Sequence, residues 1–217
     1  MDKLTTADVV KAIDIVTDIA IEKEVEFCDL DSIAGDGDFG MSLAKGFKIL
    51  RKDWSTVQTT DIGTFFSEIG MIIMENCGGA SGPIWGSAFR GMGKTAGKVT
   101  EIGLKELADI MQAAVAAIQK TGEKSFGRGA VVGDKTLIDA LVPAADSLSA
   151  SAAANEEMLS AMKKAAKAAV DGAESTKNFA ARMGRAGNVG DRSLGHPDAG
   201  AVAIGVLLTG IIEKMWG

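Results

Sequence analysis

Tyrosine is absent from the chain, and histidine occurs once, as His196. A Ser/His/Asp or Cys/His enzyme would have to depend on that one imidazole. No nucleophile elbow of the GxSxG type accompanies it, and "GGASG" at 78–82 resembles one only superficially. His196 is therefore read as a hydrogen-bonder that braces its loop. There are two cysteines, Cys28 and Cys77, and neither sits in a CxxC. They read as reduced thiols buried as small hydrophobes in a cytoplasmic protein. No Lys/Arg-rich run occurs and the formal net charge is −6, which argues against nucleic acid as a partner. No apolar run reaches the ~18 residues of a membrane span. The opening "MDKLTTADVVKAID" is polar and mixed in charge, unlike a signal peptide. The expectation is no membrane. Strand signals are nearly missing too: "AVV" at 130–132 is the best and is too short to count.

What is present is helical periodicity over 217 residues, 47% of them hydrophobic. Val9, Ile13, Val16 and Ala20 share one face of a first helix, with Thr5 or Thr6 as cap. Leu43, Phe47 and Leu50 continue a second, and Ile62 to Met74 mark a third, started by Thr60 or Asp61 and stopped at "CGG". A fourth follows Pro83. Leu104 to Ile118 define a fifth that ends near Gly122, and Leu137, Leu141 and Leu148 lie on a sixth. "SLSASAAANEE" (147–157) reads as a turn, and Asn155 is placed to cap an Ala-rich seventh helix running to about Thr176. The last spans about Ala199 to Met215. The expectation is one all-α domain, 1–217, of roughly eight helices.

The loops between these helices are unusual. "AGDGDFG", "NCGGASGP", "VVGDKT" and "GRAGNVGDRSLGHPDAG" are polar and glycine-rich, where a bundle turn needs one glycine. Many glycines suggest backbone that approaches a ligand closely. In "CDLDSIAGDGDFG" (28–40), Asp29, Asp31, Asp36 and Asp38 crowd into thirteen residues. Asp36 and Asp38 can converge across the glycines and Asp31 can close a Mg²⁺ site; a solvated Asp/Gly turn is the alternative. An EF-hand is excluded, because position 12 from Asp36 is Phe47 where a Glu is required. Gly78 and Gly79 precede a helix start at Ser81-Gly82-Pro83, which suits phosphate and equally suits a plain helix stop and start. "GMGKT" (91–95) is not a P-loop: Ala88 stands where the first glycine belongs, and no strand precedes it, so Lys94 reads as an exposed helical lysine. Arg185 and Arg192 offer forked donors for phosphate, and Asp198 sits at a helix N-cap.

In this order on an all-helical chain, "LDSIAGDGDFG", "GGASGP", "GDKT" and "GRAGNVGDRSLGHPDAGA" resemble the L subunit of dihydroxyacetone kinase, over essentially the whole length. The resemblance implies a closed barrel of eight antiparallel helices with the nucleotide, ADP or ATP, at one rim. It implies two Mg²⁺ ions held by Asp31, Asp36 and Asp38. It implies nucleotide contacts at Phe39, Gly40, Met41, Ser42, Ala80, Ser81, Gly122, Leu137, Arg185, Asp198, Ala199 and Gly200. It implies a separate K subunit that holds the sugar, and recharging by a phosphoryl-carrier protein of the phosphotransferase system. Two positions depart from the family pattern: Phe39 stands where histidine is frequent, and Ser42 where asparagine is. An ATP-dependent ketose kinase with exchanging nucleotide, a non-catalytic nucleotide-binding regulator and a metal-binding helical protein without nucleotide are the competing readings. Phosphoryl transfer needs charge neutralisation and positioning rather than a protein nucleophile, which suits a chain without one.

Overall fold

The computed structural model describes residues 2–217. Nine α-helices occur among them: α1 (Thr6–Glu22), α2 (Glu24–Ser32), α3 (Phe39–Asp53), α4 (Ile62–Asn76), α5 (Ser81–Ala96), α6 (Leu104–Phe126), α7 (Ile138–Ala153), α8 (Met158–Ser175) and α9 (Ala199–Trp216). The only strands among the described residues are β1 (Leu4–Thr5) and β2 (Glu101–Ile102), paired antiparallel. The 130–132 segment is not one of them.

Local chemistry sets several of these boundaries. Thr5 and Asp8 form a reciprocal capping box at the start of α1. Asp61 accepts the Thr64 N–H at 2.7 Å to open α4. Helix α6 passes Gly122 and stops at Gly127, which adopts the left-handed φ of 78° that ends a helix. The expected turn at 147–157 is displaced. Residues 147–153 stay in α7, as serine and alanine on a packed face allow, and only 154–157 turn. Asn155 has φ 52° within that turn, and Glu157, not Asn155, is the N-cap of α8. Helix α2 was not foreseen, because it buries only Phe27 and carries almost no apolar periodicity.

From α3 onward each helix packs on the next, α9 packs on α1, and α1 packs on α3. Helix α2 lies against α3 and α9. Close approach has identifiable causes. Pro143 in α7 lacks the N–H that would bond the Asp139 carbonyl. That carbonyl faces Gly172 of α8, where a Cβ would collide with it. Inside, Phe47, Phe65, Ile69, Ile73, Ile110 and Ile138 are fully buried in one contiguous apolar cluster. An apolar cavity of about 180 Å³ opens between α1 and α5–α9, lined by Val16, Phe89, Met111, Leu148 and Trp216 among others. Helix α9 alone among the described residues is long and apolar enough to cross a membrane, and here it packs on α8, α1 and α7.

The four glycine-rich loops are the connections α2–α3, α4–α5, α6–α7 and α8–α9. They are alternate connections in the chain, so reversal at each turn brings them to one end. At the other end, Ile62 N–H donates to the Val99 carbonyl at 2.9 Å and Thr6 N–H to the Thr100 carbonyl at 2.8 Å.

Candidate functional site

Asp31 sits in the last turn of α2 and organises the loop that follows. Its carbonyl accepts the Gly35 N–H at 2.6 Å, and its Oδ2 accepts the Gly37 N–H at 2.9 Å. A Cβ at Gly35 would collide with Asp31 Oδ1, and Gly37 has φ 74°, so both glycines are needed for the chain to fold back. The result brings Asp31, Asp36 and Asp38 together, with one oxygen of each within 4.8 Å of the others. Asp38 is the N-cap of α3, yet its carboxylate makes no capping bond. Three convergent, partly exposed carboxylates are a hard-oxygen donor set of the kind Mg²⁺ takes, with room left for water or phosphate.

Arg185 reaches this cluster from the α8–α9 loop. Its guanidinium pairs with Asp36 and lies 3.7 Å from Asp38, with the side chain 59% exposed. One of its nitrogens is 3.9 Å from where a Cβ on Gly79 would stand, and Gly79 has φ 50°. The α4–α5 loop is thus adjacent to the acids. Gly78 N–H donates to the Ser42 carbonyl at 3.0 Å, and Ser81 N–H to the Gly78 carbonyl at 3.1 Å. Ala80 precedes α5 without any side-chain cap. Two uncapped helix N-termini, of α3 and α5, therefore begin beside the acids and the arginine, an arrangement suited to phosphate.

Asp198 opens α9, accepting the Ala201 N–H at 2.8 Å while its own N–H donates to Thr176 Oγ1 at 2.9 Å. Burial pushes its carboxyl up to about 7; Asp139 and Asp31 add to the rise, and the Ala201 N–H and Lys135 oppose it. Gly200 abuts Leu137, whose Cβ would be 3.3 Å from a Cβ there, and Leu137 also reaches the apolar cavity. Ala199 is buried behind Asp198.

The remaining positions divide between packing and surface. The Phe39 ring packs on Phe27, centroids 5.9 Å apart, as part of the α2–α3 contact. A Cβ at Gly40 would collide with the Glu24 carbonyl, so this glycine serves helix packing. Met41 is 57% exposed, and Ser42 is buried against Gly78. Gly122 lies within α6 under the returning segment, 3.3 Å from the Arg128 carbonyl oxygen measured from a built Cβ. Cys77 is buried and Cys28 is half-buried, its Sγ accepting the Met41 N–H at 3.2 Å. His196 is exposed and braces nothing by a hydrogen bond recorded among the described residues, against expectation. Lys94 is exposed within α5, as expected of a helical lysine.

The "GDKT" turn carries more than sequence reading assigned to it. Asp134 accepts a forked pair from Arg128 at 2.5 and 2.8 Å and the Val131 N–H at 2.9 Å. Arg128 holds its carboxyl below the usual range. Asp139 accepts the N–H groups of Gly133 and Thr136 at 2.5 and 2.8 Å. Lys135 is 2% exposed and is considered below. The sequence places this turn, a glycine with an adjacent Asp-Lys pair directly before an apolar helix, but carries no local signal that Lys135 is buried.

Residues 33–213 match the DAK2 domain. The chain belongs to the DAK2 domain family. Asp31 lies two residues before the matched stretch. Among curated DAK2 relatives, the ADP-binding subunit DhaL of PEP-dependent dihydroxyacetone kinase 2 of Listeria innocua is 35% identical, over 90% of this chain and 88% of its own. The corresponding subunit of Escherichia coli is 32% identical over 81% and 80%. D-erythrulose kinase of Mycolicibacterium smegmatis is 30% identical over 90% of this chain but only 33% of its own length. The dihydroxyacetone kinase of C. freundii, solved in complex with AMP-PNP and Mg²⁺, superposes with TM-score 0.69 at 25% identity, covering 96% of this chain and 34% of that one.

Proposed function

We propose that this DAK2 domain is the ADP-binding subunit of a multicomponent dihydroxyacetone kinase, a phosphotransferase that passes a phosphoryl group to sugar held on a separate subunit. The observation that carries the reading is the convergence of Asp31, Asp36 and Asp38 with Arg185. The relatives named as such subunits are matched over most of their length. In this reading residues 1–217 form one domain, and α1 with α3–α9 form a closed barrel of eight antiparallel helices, with α2 filling the corner beside α3. The three aspartates hold two Mg²⁺ ions. Bound there, magnesium supplies charge neutralisation along the phosphates. Arg185 forks onto phosphate oxygens, Ala80 presents its N–H ahead of α5, and Ser81, whose own N–H is held by the Gly78 carbonyl, offers its hydroxyl. Phe39, Gly40, Met41 and Ser42 border the nucleotide on the α3 side. Gly122, Leu137, Asp198, Ala199 and Gly200 border its base, with Asp198 shifting toward its ionised form as cations enter beside Asp31. Its partners are a dihydroxyacetone-binding K subunit and a phosphoryl-carrier protein of the phosphotransferase system, in the cytoplasm.

The donor is the finer point. Phe39, packed on Phe27, has no hydrogen bond to give a nucleotide. That loss is about 0.5–1.5 kcal/mol for a neutral bond, a factor of roughly 2 to 13 in affinity. It is too small to turn a retained coenzyme into a freely exchanging substrate. Purified protein, denatured after gel filtration, is therefore expected to release ADP near one equivalent. With a K subunit it should phosphorylate dihydroxyacetone from a phosphorylated carrier. Nucleotide-free protein that turns over ATP with the K subunit and needs no carrier would leave the ATP-dependent kinase standing instead.

A further inference from the structure

Lys135 lies in the "GDKT" turn, with φ 62°, a left-handed conformation uncommon for a residue with a side chain. Its side chain is buried, and its Nζ donates to the carbonyls of Thr176, Phe179 and Ser193 at 2.7, 3.1 and 2.6 Å. Three donors meet three acceptors, so the ammonium is fully satisfied. Burying an ammonium with carbonyls as its only hydrogen-bond partners is costly, and the nearest opposite charges, Asp198 and Asp139, act on it at longer range. A lysine left in water would avoid that cost, so its placement calls for a physical account.

The acceptors supply one. Thr176 and Phe179 stand where the α8–α9 loop leaves α8, and Ser193 where it returns toward α9. Between them the chain has only the short 3-10 turns Ala186–Asn188 and Gly190–Ser193. Arg185 stands at the head of the first turn and reaches Asp36. The two feet of the loop are also joined by Gly195 N–H to the Lys177 carbonyl at 2.9 Å and by Ala181 N–H to Ser193 Oγ at 2.9 Å. Arg182 N–H donates to the Asp134 carbonyl at 3.0 Å, so the turn holding Lys135 is the platform on which the loop rests. An exposed arginine on a long loop binds phosphate with a fixed fork only if the base of the loop is held.

We propose that Lys135 is a positioning residue: it gathers both feet of the Arg185-bearing loop onto one ammonium and so aims Arg185 at the metal–phosphate cluster. The proposal rests on the reading of Arg185 as a phosphate contact. The test is a double-mutant cycle on Mg-ADP affinity by calorimetry, with Lys135→Met in the native and Arg185→Ala backgrounds, alongside hydrogen exchange at the Ala181 and Gly195 amides. Methionine keeps the apolar stem and removes the donors. With Arg185 present, Lys135→Met should weaken Mg-ADP about tenfold; with Arg185→Ala the further loss should be under about twofold, the non-additivity expected of coupled residues. Both amides should exchange faster in either background. An equal loss in both backgrounds would reduce Lys135 to a general stability role, and unchanged affinity with unchanged exchange would remove the clamp outright. Should Lys135→Met not fold, Lys135→Arg keeps the buried charge while its longer, planar head cannot reproduce the three carbonyl bonds, and the same cycle decides. If Arg185→Ala alone leaves affinity intact, the assignment of Arg185 falls and this proposal with it, whereas the exchange data still report whether the loop is held.

Discussion

Asp36→Asn and Asp38→Asn separate the ligand site from the fold. Both side chains are substantially exposed, 43% and 40%, and neither carboxylate accepts a backbone N–H recorded among the described residues. Each change should therefore leave ligand-free stability within about 0.5 kcal/mol. Binding should respond quite differently. Outer partners of metal ligands alone are worth roughly 10- to 100-fold in affinity, so removing a direct ligand should cost about 100-fold or more. At ligand 100 times its dissociation constant, native protein gains about 2.7 kcal/mol. For a chain of this size that raises Tm by roughly 5–11 °C. A variant weakened about 100-fold sits at its own dissociation constant under the same conditions and gains only about 0.4 kcal/mol. The shift shrinks to about 1–2 °C. Thermal melts with and without Mg-ADP, paired with calorimetry, read both quantities. Mg²⁺ alone should move Tm little, because phosphates complete its shell. Native-like Mg-ADP affinity in both variants would refute the magnesium assignment, and a large shift from Mg²⁺ alone would favour a metal site without nucleotide.

Two further outcomes probe how the loops and helices are held. Gly172→Ala should destabilise by roughly 1–3 kcal/mol in urea melts, because the new methyl meets the Asp139 carbonyl and α7 and α8 must part; an unchanged midpoint would show the helices are not in contact there. Asp134→Asn should change acid stability with a defined sign: the folded carboxyl is held below its ordinary value, chiefly by Arg128, so its contribution is full above about pH 4 and is lost as pH falls through the folded value. The gap between native and variant stability should therefore close toward low pH, and a gap that is constant with pH would exclude the pair as its source.

Periodicity was informative wherever a helix buries a wide apolar stripe. The α1, α4 and α9 boundaries came out near their caps because Thr5, Asp61 and Asp198 cap by side chain. Helix α2 was missed because a nine-residue helix burying one phenylalanine has no stripe to detect. The α7–α8 turn was misplaced because alanine and serine are compatible with both helix and loop, and only packing decides between them. At the site, the acidic triplet was readable because its spacing and its glycines act over eight residues. Lys135 was not, because its partners lie 41, 44 and 58 residues away. Nothing local to a lysine says whether it will be exposed or buried.

The same contrast explains how a chain with one exposed histidine and two cysteines off the acidic cluster can support group transfer. No side chain here has to become a nucleophile. What the reaction needs is anionic oxygen held in place and cationic charge facing it. The first comes from a loop in which Asp31 binds its own backbone and thereby turns Asp36 and Asp38 back beside it. The second comes from a loop with little regular structure of its own. Its arginine can be aimed only if something rigid grips the base, and the grip is the α6–α7 turn, itself fixed by Arg128 on Asp134 and by Asp139 on Gly133 and Thr136. Phe39 fits this division of labour: packed on Phe27, it ties the start of α3 to α2. Precision at the cluster is thus inherited from buried polar contacts at the helix ends, and those contacts, more than the exposed acids, decide whether the site is correctly assembled before ligand arrives.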